Sequence, residues 1–125
     1  TTDPVILTAI FGPEPSHDWC YYYEKASIAY QEKDWQKVID NKSQADEKGL
    51  NTNIGFELKP FVTAYANLGE WEQARDLTLY AFQSDVASKP LYCDMWKTLL
   101  DNAPRSDVSD SAFTNVYDTL RCKLP

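Results

Sequence analysis

Ser16, His17 and Asp18 stand in a row and carry the hydroxyl, imidazole and carboxylate of a hydrolytic triad. A triad works only when the base reaches the nucleophile and the acid orients the base, so that three side chains converge on one point. Neighbouring residues at a helix start diverge instead. The trio is therefore read as helix capping, and His17, the single histidine, leaves no imidazole for another site. The acid pairs Asp46 with Glu47 and Asp107 with Asp110 could serve acid–base work or calcium. Both fall on the surface or at the start of a predicted helix, where carboxylates are solvated or complement the dipole. The four glycines are dispersed, so no phosphate-cradling loop forms. Asn41-Lys42-Ser43 fits a glycosylation sequon but falls in mid-helix. No catalytic residue and no cofactor is expected.

Cys20, Cys93 and Cys122 contain no CxxC pair, and zinc requires four sulfur or nitrogen ligands at close spacing. No metal site is expected. The thiols are read either as buried and free or as one bridge plus one free thiol.

A net charge of −7 and a pI near 4.6 exclude nucleic acid, whose binding relies on clustered Lys and Arg. No stretch approaches the roughly 20 apolar residues of a membrane helix. The early apolar run, Pro4 to Phe11, is interrupted by Thr8 and lacks the basic flank of a signal peptide. At 125 residues the chain is long enough for one core, and two halves would each be marginal. Four Trp and eight Tyr supply large rings to fill it. The start at Thr1, without Met, leads us to expect a processed piece of a longer protein.

The elements follow from periodicity. Residues 1–15 read as an extended arm, because Pro4, Gly12, Pro13 and Pro15 exclude a long helix and Val5, Ile6 and Thr8 favour extended backbone. Residues 16–125 read as one helical domain of about six helices in pairs, at about 16–49, 54–84 and 88–123. Ser16 is the expected first cap. Trp19, Tyr22, Tyr23, Ala26, Ala29 and Tyr30 then recur at helical spacing. Asp34 caps a second helix with Trp35, Val38, Ile39 and Ala45 inward, closed by Gly49. Leu58, Phe61, Val62, Tyr65 and Leu68 mark the third, with Pro60 near its first turns. The fourth follows Gly69 with Trp71, Ala74, Leu77, Thr78 and Ala81. Ser88 and Pro90 open the fifth, with Tyr92, Met95, Trp96, Leu99 and Leu100. The sixth begins near Ser109, with Phe113, Val116, Tyr117 and Leu120.

Two pairs repeat one another. Ala29 to Val38 lies over Tyr65 to Ala74 at an offset of 36 residues, with Trp35 over Trp71 and Ala45 over Ala81. The offset is close to the roughly 34-residue tetratricopeptide period, and Tyr65, Gly69, Trp71, Ala74 and Ala81 resemble that repeat. The first copy departs from it at Lys33 and Val38, and the third pair shares only its two helices, as a cap would. The resemblance covers about residues 19–84. It implies an all-α fold of antiparallel helix pairs stacked as a short right-handed superhelix, whose first helices line a concave groove. Carried over by position, the groove residues are Tyr23, Ser27, Tyr30, Gln31, Lys59, Thr63 and Asn67. Pattern alone leaves open whether Tyr23 and Tyr30 line the groove or fill the core. Only Lys59 matches the basic positions of chaperone-docking carboxylate clamps.

Phe11 to Ala26 and Pro60 to Trp71 also resemble the soluble C-terminal tail of bacterial multi-spanning membrane proteins of the dolichyl-phosphate-mannose-mannosyltransferase type. That likeness implies a domain on the extracytoplasmic face, tethered to a membrane region upstream of Thr1 and lacking the parent's catalytic machinery. Such a setting permits a disulfide. Cys93 near the start of the fifth helix and Cys122 near the end of the sixth would be neighbours in an antiparallel pair, which leaves Cys20 free. The expected function is a non-catalytic scaffold that binds a protein or peptide partner. The alternative is a small-ligand module that stacks a carbohydrate-like ring on groove aromatics.

Overall fold

The computed structural model describes residues 17–123; the expected arm, 1–15, and the Ser16 cap lie outside them. Among the described residues there are six α-helices and no strand. They are α1 (Trp19–Gln31), α2 (Trp35–Glu47), α3 (Lys59–Asn67), α4 (Trp71–Ser84), α5 (Lys89–Asn102) and α6 (Asp107–Leu120).

The cap of α1 is Asp18: its carboxylate accepts the Tyr21 N–H at 3.2 Å. Tyr22, Ala26 and Ala29 then form the buried stripe. The two alanines leave room for α2, which presents Val38, Ile39 and Ala45. Asp34 caps α2 through the Lys37 N–H, and Gly49 follows it at φ +70°.

The turns after α1 and α3 are built alike. Glu32 N–H reaches Ile28 C=O, Lys33 reaches Tyr30 and Asp34 reaches Ala29, while Leu68 reaches Ala64, Gly69 reaches Ala66 and Glu70 reaches Tyr65. Lys33 (φ +57°) and Gly69 (φ +79°) occupy the left-handed position. That position strains any residue with a Cβ, so glycine suits it and lysine tolerates it.

Pro60 is the second residue of α3, where no intrahelical N–H is required. A 3-10 turn, Gly55–Leu58, precedes it, and a second one, Val86–Ser88, precedes Lys89-Pro90 at the start of α5. α6 starts at Asp107, two residues before the expected Ser109. Ser106 is its cap and Ser109 completes a reciprocal capping box, their side chains bonded to each other's backbone N–H groups at 3.2 and 2.8 Å.

All three pairs are antiparallel hairpins, because each places the start of one helix beside the end of the next. The Lys48 amine lies 5.4 Å from the Tyr22 ring. The Gly55 N–H donates to the Asp85 carboxylate at 3.0 Å. Cys93 is bonded to Cys122. The first helices of successive pairs touch, α1 on α3 and α3 on α5, while α4 packs broadly on α6.

Trp71, Trp96, Tyr92 and Phe61 fill the core. Their polar tips are satisfied, as buried tips must be. Trp71 Nε1 donates to Pro104 C=O and Trp96 Nε1 to Thr78 Oγ1, both at 3.0 Å, and the Thr78 hydroxyl in turn donates a hydrogen bond to Ala74 C=O. Tyr92 donates to Gly55 C=O; burial first, then the charge of Asp85, pushes its ionisation well above the ordinary phenol range. Gly55 has no alternative, since an added Cβ would come within 2.6 Å of Ser88 Oγ. The Asn41 side chain is buried and gives its N–H to Lys37 C=O, so the sequon is closed in the folded chain, while its Oδ1 has no partner.

Candidate functional site

The first helices of the three pairs converge on one cleft of about 320 Å³. α1 contributes Tyr30, α3 contributes Lys59 and Thr63, and α5 contributes Leu91, Asp94, Met95, Thr98 and Leu99. The α5 residues recur at i, i+3, i+4, i+7 and i+8, which is one helical face. Met95 and Leu99 form a well-buried floor and Leu91 is half-buried beside them, whereas Asp94 and Thr98 are exposed. Tyr30 is held in place by an edge-on contact with Trp35, ring centroids 5.8 Å apart.

The polar groups of the cleft divide in two. The threonine hydroxyls are already engaged: Thr63 Oγ1 donates to Lys59 C=O at 2.9 Å and Thr98 Oγ1 to Asp94 C=O at 3.4 Å, each one turn back along its own helix. Both hydroxyl protons are therefore committed, and only acceptor lone pairs remain for a ligand. The Lys59 ammonium and the Asp94 carboxylate enter none of the ion pairs among the described residues. What else remains for a ligand is an apolar floor, a phenol, one free cation and one free anion.

Of the seven expected groove residues, Tyr30, Lys59 and Thr63 line the cleft. Tyr23, Ser27, Gln31 and Asn67 do not. Tyr23 stacks on Trp19 at 6.3 Å, and its hydroxyl is pushed up first by burial and then by the charge of Glu57. Ser27 Oγ donates to Tyr23 C=O and Asn67 Nδ2 to Thr63 C=O, while Gln31 is exposed at the end of α1. Sequence reasoning had no means to find the α5 half. Its stripe was legible as a buried face, but the third pair lacks the left-handed turn residue and following tryptophan (Lys33 and Trp35, Gly69 and Trp71) by which the other two were aligned.

Of the trio considered for catalysis, Ser16 lies outside the described residues. Asp18 is occupied by the Tyr21 N–H, and the His17 ring lies stacked on Tyr21 at 3.7 Å. No group of three or more His, Cys, Asp and Glu is placed to hold a metal among the described residues. Cys93 and Cys122 are joined with their Cα atoms 5.6 Å apart, and Cys20 is an exposed free thiol. Tyr117 reinforces the link by donating to Cys93 C=O and accepting the Cys122 N–H. A shallower depression of about 290 Å³ lies among Lys42, Tyr65, Gln73, Asp76, Leu77 and Tyr80. Its charges are already spent, Lys42 on Asp46 and Asp76 on Arg75. No helix among the described residues is long and apolar enough to cross a membrane.

The chain matches no protein-family model, no curated protein and no solved structure. Geometry must carry the functional reading.

Proposed function

We propose that the chain is a non-catalytic interaction scaffold of tetratricopeptide type, which binds a peptide segment of a partner protein in the cleft between α1, α3 and α5. Two identically bonded turns 36 residues apart support the repeat reading. The single observation that carries the function is the composition of the cleft: a mostly apolar surface with isolated charges and its threonine hydroxyls already engaged. A carbohydrate needs many hydrogen-bonding partners, and a site that leaves hydroxyls unpaired discriminates against it. A peptide brings apolar side chains and only a few charges, and it fits better. The disulfide between Cys93 and Cys122 supports an oxidising setting, in keeping with an extracytoplasmic accessory domain of a larger bacterial membrane protein.

The test presents the oxidised chain with a displayed library of random peptides and, in parallel, with a panel of soluble oligosaccharides. We expect peptides to be enriched and to lose binding in Leu91→Glu and Thr98→Arg, two changes at residues that are not fully buried. Saccharide binding without peptide enrichment, or enriched peptides indifferent to both variants, would overturn the reading.

A further inference from the structure

Resting on that peptide-binding reading, the geometry points to a ligand with a defined charge pattern: one large apolar side chain between a basic residue facing Asp94 and an acidic residue facing Lys59. The cleft is at the small end of the roughly 300–1,000 Å³ range of ligand pockets, at about 320 Å³. It encloses one or two side chains, so the occupant is an extended segment and not a helix face. Its floor of Leu91, Met95 and Leu99 selects an apolar anchor.

The two charges decide what flanks that anchor. Lys59 belongs to α3 and Asp94 to α5, and no ion pair joins them. At the shallower depression, by contrast, Lys42 is neutralised by Asp46 and Asp76 by Arg75. A ligand that covered Lys59 and Asp94 without compensating them would strip water from unpaired charges, which is costly. A ligand with unlike charges in the matching order supplies both partners and fixes its own direction along the cleft. The chain's net charge of −7 steers the basic end of such a segment toward the protein and makes association salt-dependent.

The test uses peptides selected on the oxidised chain and two charge reversals, Asp94→Lys and Lys59→Glu. We expect Asp94→Lys to weaken the selected peptides about tenfold. Changing the peptide's basic residue to Glu should restore affinity for that variant, with the mirror-image rescue for Lys59→Glu. Peptides that lose binding in Leu91→Glu yet ignore both reversals would overturn the charge pattern and leave peptide binding standing. Peptides that ignore Leu91→Glu as well would remove the cleft itself as the site. Circular dichroism of each variant, matching the parent, separates these outcomes from unfolding.

Discussion

The first two hairpins and the third reach the same antiparallel packing by different means. α1–α2 and α3–α4 are closed by one local turn, with the same backbone hydrogen bonds and a left-handed residue at the same position, Lys33 in one and Gly69 in the other. α5–α6 is held by contacts distant in sequence: the disulfide, the Tyr117 hydroxyl on Cys93, and the Trp71 indole on Pro104 C=O in the turn between α5 and α6. A repeated turn leaves a repeated sequence. A hairpin fastened by side chains and a covalent bond is free of that constraint, and so the third pair carries no visible copy.

The comparison is tested most severely at the two tryptophans that share a repeat position. Trp71 is fully buried, 5.7 Å from the Trp96 ring, whereas Trp35 is half-buried against Tyr30. Trp71→Ala should cost about 4 kcal/mol and Trp35→Ala about half of that, by urea denaturation. Equal losses would mean that the two stations are energetically equivalent after all.

The covalent fastening comes next. The bridge spans a sequence separation of 29, and the chain-entropy argument assigns such a loop about 3.5 kcal/mol. Replacing both Cys93 and Cys122 with Ser should lower the urea midpoint accordingly. Hydrogen exchange should rise in α5 and α6 more than in α1 and α2. A uniform rise would contradict the division between the hairpins.

The repeated turn allows a reciprocal exchange. Lys33→Gly should stabilise by about 1 kcal/mol and Gly69→Lys should destabilise by about as much, because each variant puts the other hairpin's residue at a left-handed position. Shifts of the same sign would show that the two turns are not interchangeable. Asn41→Leu gives the smallest effect, a gain of about 1 kcal/mol or less. It removes a buried carbonyl oxygen that has no partner, although the side-chain bond to Lys37 C=O is lost as well.

Periodicity made the six helices legible, since amphipathic stripes such as Tyr22, Ala26 and Ala29 are set by burial alone. Boundaries were less so. Asp18 and Asp34 cap through carboxylates, but Ser106 caps α6 three residues before Ser109, and a serine on either side of a helix start looks the same in sequence. At the cleft, the repeat offset named Tyr30, Lys59 and Thr63 as candidates by position, but it left the rotation of α1 open, and Tyr30 lines the cleft because it packs edge-on against Trp35. Tyr23, Ser27, Gln31 and Asn67, named by the same offset, lie off the cleft; the stacking of Tyr23 and the side-chain bonds of Ser27 and Asn67 depend on packing that a pattern does not encode. Leu91, Asp94 and Met95 enter the site through a helix held by the cystine, by Tyr117 on Cys93, and by the Trp96 and Tyr92 hydrogen bonds to Thr78 and Gly55, none of which is a local signal.

Amide chemical-shift mapping of a selected peptide onto the oxidised chain tests the account most directly. Shifts concentrated at Tyr30, Lys59, Thr63, Leu91, Met95 and Leu99 are the expected result. Shifts gathered instead around Lys42, Tyr65 and Tyr80, or spread without focus over α2 and α4, would contradict it.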